Sequence, residues 1–400
     1  MTYRTLAGVM LSASFTALAC SSSSGPDITT VGGGTAGTGG SPAMTGSSGS
    51  TSIAGSSSVG GASGGATGSA GAATIAGAGG AASAAGAGGA MSWAGAGGAV
   101  SAHPKGPSAG CNLDAPAGDS QTSFIQHNIM VTEPLDQAAI TADPANAGQP
   151  YDWTHRNYYL RLPKNYDKTK PYVLDIGGSG CGGDDTVGKE GGYATLPNGQ
   201  TQEIQVALSY LASSKNGACF ADDFTDPPDL EYFDAVLADL EAKYCIDRSN
   251  IFMHGYSSGA WETYMLGCAR ANVLRGIGTA QGGMRMHRPA CTGPIAAILT
   301  AGEPPNDNPI GPLSPDDPVA KQLDSLGSAP ARDDILMRNG CTSSNSKAWD
   351  PMYSECVQYT DCPAAYPVVW CAMATLGHGY PSGLANDGFW KFWTSLPATP

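Results

Sequence analysis

The chain has 400 residues, only 14% of them are charged, and its formal net charge is −14 at pH 7. An acidic balance of this size argues against nucleic acid as a partner, because phosphate backbones are bound through clustered lysine and arginine. Composition changes sharply near residue 110, so the two parts of the chain are considered in turn.

Residues 1–20 have the pattern of an export signal, with one positive charge at Arg4 and an apolar region over 6–18. That region is too short for a comfortable membrane span, which needs roughly 20 apolar residues. It ends in a tetrad that resembles a bacterial lipobox, Ala17-Leu18-Ala19-Cys20, although leucine is more usual at the first position. The sequence predicts export with lipid on Cys20, or, as the alternative, simple secretion after cleavage near residue 19.

Residues 21–110 are low-complexity glycine, alanine, serine and threonine, with charges only at Asp27 and Lys105. Such a segment buries too little apolar surface to offset its chain entropy, so we predict a disordered tether. Silk-like stacking is disfavoured because the small-residue runs are irregularly spaced. Behind a lipid anchor, the tether would hold a domain away from the membrane.

Residues 111–400 are long enough for one large α/β domain. They contain ten of the 11 cysteines, and an even number in an exported chain predicts up to five disulfides, with the pairing left open. None of these cysteines shows a zinc-binding spacing with histidines, so we expect no metal site. The ten cysteines are Cys111, Cys181, Cys219, Cys245, Cys268, Cys291, Cys341, Cys356, Cys362 and Cys371.

Strand and helix patterns alternate through this region, which predicts a mainly parallel sheet covered by helices on both faces. Strands are predicted over 158–162, 172–176, 204–207, 251–253, 273–279, 295–299 and 366–372. Helices are predicted from a cap at Asp229 to near residue 245, and over 260–269, 329–339 and 387–396.

The strand over 251–253 runs directly into Gly255-Tyr256-Ser257-Ser258-Gly259, and a helix follows from Ala260. A strand, a G-x-S-x-G turn and a helix are typical of the nucleophile elbow of an α/β-hydrolase. We expect Ser257 to adopt a strained backbone conformation, with the two glycines letting strand and helix pass closely. The sequence therefore predicts Ser257 as a nucleophile.

A serine nucleophile needs an imidazole base, and in this fold the chain order is serine, acid, histidine. Of the six histidines, only His287 and His378 follow Ser257. His287 leaves too little chain for a strand, the acid and its loop, whereas His378 comes just beyond the last predicted strand. We therefore predict His378 as the base, His287 as a surface or structural residue, and His254, just before the elbow, as a core histidine.

The acid should lie in the loop after the strand over 295–299. Glu303 and Asp307 are both within reach. We prefer Asp307, because the surrounding segment 306–310 is typical of an ordered turn, and Glu303 stays the alternative.

A glycine-rich loop, 177–183, follows the predicted strand over 172–176. It lacks the Gly-Lys-Ser/Thr ending of a phosphate-binding loop. In a serine hydrolase, this early loop supplies one backbone N–H of the oxyanion hole. We predict that Gly180 or Cys181 provides it.

With these motifs in place, the chain resembles the secreted feruloyl esterase and polyhydroxybutyrate depolymerase-like family of carbohydrate esterases, over roughly 160–396. The resemblance implies an α/β-hydrolase fold, Ser257 as nucleophile, His378 as base and an oxyanion hole that includes Ser258 N–H. A mechanism of this kind needs no cofactor. It rests on the segments 232–237, 244–247, 255–261, 267–271, 331–333, 339–341, 367–371 and 377–378.

The chain also departs from that family at three points. The family's His-Gly or His-Asp before the triad acid is missing, Tyr380 stands where tryptophan is usual after the base, and Gly177-Gly178 replaces an early His-Gly. The identity of the acid and the shape of the substrate pocket are therefore open.

The sequence thus predicts an exported serine esterase that cleaves feruloyl or acetyl esters of plant polysaccharide and takes part in polysaccharide degradation. Trp261 and Tyr380 are candidates for an aromatic acyl pocket. The expected partners are an ester-bearing polysaccharide or a small ester, and the membrane only through lipid at Cys20. Alternatives are a polyhydroxyalkanoate depolymerase, a general short-chain esterase or, in another class, a catalytically silent glycan-binding surface protein.

Overall fold

A computed structural model of the chain describes residues 103–131, 154–182, 199–210, 212–213, 217–222, 227–302, 313–318, 321, 324–342, 345–373 and 375–398. All of these fall within one unit of the chain, Ala90–Pro400. The predicted signal, nearly all of the predicted tether, and both candidate acids, Glu303 and Asp307, lie outside the described residues.

The strands are β1 (Ile125–Met130), β2 (His155–Arg161), β3 (Tyr172–Gly178), β4 (Glu203–Leu208), β5 (Ala212–Ser213), β6 (Gly217–Ala218), β7 (Ile246–Tyr256), β8 (Gly276–Ala280), β9 (Met284–Arg285), β10 (Ala296–Gly302), β11 (Ser325–Gly327), β12 (Ser346–Asp350), β13 (Tyr353–Tyr359) and β14 (Val368–Met373). The helices are α1 (Gly199–Gln202), α2 (Pro228–Lys243), α3 (Ser258–Ala269), α4 (Ser328–Asn339) and α5 (Phe389–Ser395), the last preceded by a π-helical turn, Leu384–Gly388.

Ten strands form one sheet in the order β1-β2-β4-β3-β7-β8-β10-β14-β13-β12. The six strands from β4 to β14 run parallel, whereas the two strands at each edge are antiparallel. The mainly parallel sheet is confirmed. Three edge strands, β1, β12 and β13, were not predicted, because they lack the continuous apolar runs that mark the buried centre of a parallel sheet.

Both faces of the sheet are covered, and successive side chains of one strand point into opposite layers. On β7, Phe252 packs in one apolar cluster with Phe389 of α5, whereas Met253 packs in the other with Phe233 of α2. This two-sided burial explains why the central strands are apolar at nearly every position. It also confirms the α/β class, with helices on both faces, predicted from the alternation of elements.

The predicted helix cap at Asp229 is wrong. Helix α2 begins at Pro228, and Asp229 lies inside its first turn with its carboxylate buried. That carboxylate accepts hydrogen bonds from Arg156 Nη1 and from the N–H of Ala221, both at 2.7 Å. Proline favours the first helical position, and the buried Arg156 requires a counter-charge, so Asp229 is used as an ion-pair partner.

All ten cysteines of the domain are paired, so the predicted upper limit of five disulfides is reached. One of them, Cys181–Cys219, ties the glycine-rich loop to the chain that precedes α2. The others are Cys111–Cys245, Cys268–Cys291, Cys341–Cys362 and Cys356–Cys371.

The packed region begins before Cys111, so the predicted end of the tether at Gly110 is too late. Pro107 forms a β-bridge with Asp247, and the Ser108 hydroxyl donates to the carbonyl of Tyr244. A Cβ at Gly110 would lie 2.2 Å from Tyr244 N, so the backbones meet directly there. Residues from 103 onward therefore belong with the domain.

No helix within the described ranges is both long and apolar enough to cross a membrane.

Candidate active site

Ser257 sits at the turn between β7 and α3 with φ 53° and ψ −117°, which confirms the predicted strain. A non-glycine residue held at such angles costs on the order of 1–3 kcal/mol. The turn is tight because strand and helix touch through backbone: a Cβ at Gly255 would lie 2.2 Å from Gly259 O. The Ser257 N–H donates to Ala280 O of β8 at 2.9 Å, which fixes the turn to the neighbouring strand.

His378 follows β14 and reaches back to the turn. Its Nε2 lies 2.9 Å from Ser257 Oγ. That is within the range in which an imidazole accepts a hydroxyl proton. The structure therefore brings together two residues that are 121 positions apart and that the sequence predicted as nucleophile and base.

Tyr256, the variable position of the G-x-S-x-G motif, connects three parts of the site. Its hydroxyl donates to the carbonyl of His378, and the two rings lie 5.5 Å apart. The Tyr256 ring also contacts the Tyr380 ring edge-on, with 5.3 Å between the ring centres. Gly180 packs against the Tyr256 ring, since a Cβ there would lie 3.2 Å from Cδ1. Sequence reasoning missed Tyr256, because the motif accepts many residues there and gives no signal for a partner so far along the chain.

We expect Tyr256→Phe to lower kcat for a small ester about five- to tenfold with little change in KM. The substitution removes one hydrogen bond to the base loop, worth about 1 kcal/mol. Steady-state kinetics on p-nitrophenyl acetate measure it.

The matched control for Tyr256 is Tyr380→Phe. The Tyr380 hydroxyl donates to Asn386 Oδ1 at 3.1 Å and not to His378, so its loss should change kcat less than about twofold. Equal losses in the two variants would contradict a specific role for the Tyr256 hydroxyl.

The glycine-rich loop packs against the nucleophile turn. A Cβ at Gly180 would lie 3.3 Å from Ser257 Cβ, and the carbonyl of Ser179 accepts the N–H of Gly259 at 2.8 Å. Cys181 is exposed and joined to Cys219. Ser258 opens α3, and the dipole at the N-terminus of a helix favours negative charge.

The chain leaves β10 beside the base. Gly302, the last residue of β10, touches Gly377 so closely that a Cβ on it would lie 1.8 Å from the Gly377 carbonyl oxygen. Glu303 follows at once, and Asp307 comes four residues later. Since both lie outside the described residues, the choice between them stays a prediction.

The two predicted pocket aromatics differ in their surroundings. Trp261 is only 5% exposed, and the guanidinium of Arg285 covers its ring at 3.5 Å while pairing with Asp222 at 3.0 Å. Tyr380 is half-buried beside Tyr256. Little of Trp261 is therefore available to a substrate, and the role of either residue in binding stays a prediction.

The remaining candidate histidines are placed as predicted. His254 is 4% exposed, with Nε2 3.4 Å from Asp175 Oδ2, so it is a core residue. The side chain of His287 is exposed, with Nδ1 2.6 Å from Asp324 Oδ1. In the described part of the chain, no group of three histidine, cysteine or acidic side chains is arranged to hold a metal ion.

Glu262 of α3 is a buried carboxyl close to the site. It is fully buried, and neither of its oxygens has a hydrogen-bond partner among the described residues. Burial, reinforced by Asp229 and Asp222, raises the pKa of Glu262 well above its ordinary value of 4.5, against the opposing effect of Arg156 and Arg285. The folded protein therefore holds this carboxyl in its neutral form over a pH range in which the unfolded chain has released the proton.

A raised acid pKa makes stability fall as pH rises from about the unfolded pKa toward the folded one. Glutamine does not titrate, so Glu262→Gln should remove the contribution of this carboxyl to the fall in stability. The free energy of unfolding of the variant should therefore decline less than that of the wild type between pH 5 and pH 8. The slopes should differ by up to about 1.4 kcal/mol per pH unit within the titration window. Denaturant unfolding with intact disulfides measures the slopes.

Glu355→Gln on β13 is the control for Glu262, since Glu355 is exposed and its replacement should leave the slope unchanged. Parallel pH profiles for the wild type and Glu262→Gln would show that the buried carboxyl does not remain protonated in the folded state.

Among proteins of known name, the chain is similar to feruloyl esterases. It is 26% identical to the probable feruloyl esterase C of Aspergillus terreus over 243 residues, covering 60% of this chain and 84% of the relative. It is 27% identical to feruloyl esterase C of Emericella nidulans, covering 59% and 83%. No protein-family profile matches the chain.

Solved structures similar to the chain include a CE1 ferulic acid esterase from Anaeromyces mucronatus, with 14% identity, 71% of this chain and 95% of that one covered, and a TM-score of 0.40. An acetyl xylan esterase from Aspergillus awamori has 12% identity, 60% and 94% coverage, and a TM-score of 0.42. The sequence relatives confirm the resemblance predicted from the motifs: the chain is similar to feruloyl esterases over about 60% of its length.

Proposed function

We propose that the chain hydrolyses esters through an acyl-enzyme formed on Ser257. His378 accepts the hydroxyl proton as Ser257 Oγ attacks the ester carbonyl, and then gives it to the departing alcohol. Water hydrolyses the acyl-enzyme by the same two steps. The observation that carries the proposal is the 2.9 Å contact between His378 Nε2 and the Oγ of a strained Ser257.

Two further elements complete the proposed mechanism. Asp307 orients His378 and stabilises the imidazolium, with Glu303 as the alternative acid. The oxyanion is held by the N–H of Ser258 and one N–H from Gly180 or Cys181. Each such donor is worth roughly 3–4 kcal/mol of transition-state stabilisation.

We propose feruloyl or acetyl esters of plant polysaccharide as the substrates. Relatives named feruloyl esterase support this choice. The aromatic pair of Tyr256 and Tyr380 beside His378 would suit an aromatic acyl group, since planar rings pack well against one another. Polyhydroxyalkanoates and simple short-chain esters are the competing substrates of the same chemistry.

Hydrolysis of methyl ferulate and of p-nitrophenyl acetate by residues 21–400, with Ser257→Ala as the control, tests the proposal. We expect Ser257-dependent cleavage of both esters. Cleavage of the acetate alone would keep the mechanism and move the substrate to acetyl or aliphatic esters. No cleavage by folded protein would favour the silent glycan-binding alternative.

We also propose that residues 1–20 direct export, with lipid on Cys20, and that residues 21 to about 102 tether the domain. The five disulfides support an oxidising compartment, because such bonds persist outside the reducing cytosol. Metabolic labelling with palmitate tests the anchor: label should reach the wild type and not Cys20→Ser. Release of unlabelled wild-type protein into the medium would favour simple secretion.

A further inference from the structure

Gln281 follows the last residue of β8 and lies between the nucleophile and the base loop. Its backbone N–H donates to Thr300 O of β10 at 3.3 Å, while the preceding carbonyl, of Ala280, accepts the Ser257 N–H at 2.9 Å. The residue is 1% exposed. One turn of chain thus touches the nucleophile on one side and the end of β10 on the other.

The side chain of Gln281 holds the tip of β10. Its Oε1 accepts the N–H of Gly302 at 2.6 Å. Its Nε2 would lie 3.1 Å from a Cβ built on Gly302, so the carboxamide leaves no room for a side chain at that position. Gly302 in turn is in close backbone contact with Gly377, the residue before His378. A continuous line of contact therefore runs from Gln281 through two glycines to the base.

Gln281 adopts this position against its own backbone preference. Its φ is 61°, in the left-handed region that glycine and asparagine enter far more readily. Gln281 therefore occupies a backbone conformation that disfavours it, while its side chain accepts the N–H of Gly302. That combination indicates a role for the side chain itself.

We propose that Gln281 is a positioning residue, which holds Gly302 against Gly377 and so sets His378 Nε2 at its distance from Ser257 Oγ. This inference rests on the proposed function. A shift of about 1 Å in a reacting group can cost on the order of 10²-fold in rate. We expect the rate of the chemical step to fall and KM to change little, because Gln281 is buried and acts on the base only through Gly302.

The test compares Gln281→Met and Gln281→Asn with the wild type. Methionine keeps the length and removes the acceptor; asparagine keeps the amide and suits the left-handed backbone but is one methylene too short. We expect kcat for p-nitrophenyl acetate to fall 10- to 100-fold in both, with KM within about threefold. The rate of Ser257 labelling by a fluorophosphonate should fall in parallel.

Asn339→Leu is the matched control, because Asn339 is a buried amide that clamps the opposite end of β10. Its Oδ1 accepts the N–H of Ile295 and its Nδ2 donates to Tyr366 O, both at 2.9 Å. We expect a lower Tm but a kcat within about twofold of the wild type for the folded protein.

Wild-type kcat in Gln281→Asn and in any folded Gln281→Met would overturn the positioning role. An equal fall of kcat in Asn339→Leu would also overturn it, since the loss would then be general to β10. A folded wild type that neither cleaves the ester nor labels would instead overturn the proposed function, and this inference with it.

Discussion

Ser257→Ala is expected to lower kcat for p-nitrophenyl acetate by at least about 10⁴-fold, and His378→Ala by a similar factor. Alanine at 257 removes the attacking oxygen. Alanine at 378 removes the imidazole whose Nε2 lies 2.9 Å from Ser257 Oγ and is proposed to accept its proton. The double variant should be no worse than either single variant, because the two residues act as one unit. Steady-state kinetics with thermal unfolding as a fold check measure these effects.

The neighbouring serine is the matched control for Ser257. The Ser258 hydroxyl accepts the N–H of Phe220 at 2.8 Å, and alanine there keeps the backbone N–H proposed for the oxyanion hole. Its loss of kcat should therefore stay below about tenfold. A fluorophosphonate should label the wild type at Ser257, and labelling that persists in His378→Ala would contradict His378 as the base.

The second large effect concerns the acid. We expect Asp307→Asn to lower kcat by about 10³- to 10⁴-fold, since an amide cannot hold the imidazole in the required tautomer or stabilise its charged form. Glu303→Gln should stay within about tenfold of the wild type. The same assay decides between them, and a reversed pattern would assign Glu303 as the acid.

Asp316→Asn is the control for the acid loop. The Asp316 side chain is 95% exposed and pairs only with Lys321 among the described residues, at 3.1 Å, so its charge should not affect the rate. Wild-type kcat in both Asp307→Asn and Glu303→Gln would show that the acid comes from another part of the chain.

The elements that the sequence predicted well are those whose signals are local. The nucleophile turn is contiguous, because strand, glycines, Ser257 and helix follow one another within 20 residues or so, and its strain follows from that tight turn. The central strands were predicted from their continuous apolar runs, since both faces of a parallel sheet are buried. His378 was proposed as the base from chain order and from its place just beyond the last predicted strand.

The sequence by itself predicted the fold class, an upper limit of five disulfides, and a candidate nucleophile and base. Only the tertiary structure decided which buried polar groups meet. The local sequence predicts Asp229 as a helix cap, whereas in the structure it pairs with Arg156, which lies 73 positions earlier in the chain. Tyr256 donates a hydrogen bond to the carbonyl of His378, 122 positions away, and Cys111 forms a disulfide with Cys245, 134 positions away. Periodicity and turn chemistry act over a few residues, whereas the partner of a buried donor or thiol depends on contacts that exist only when the whole sheet has assembled.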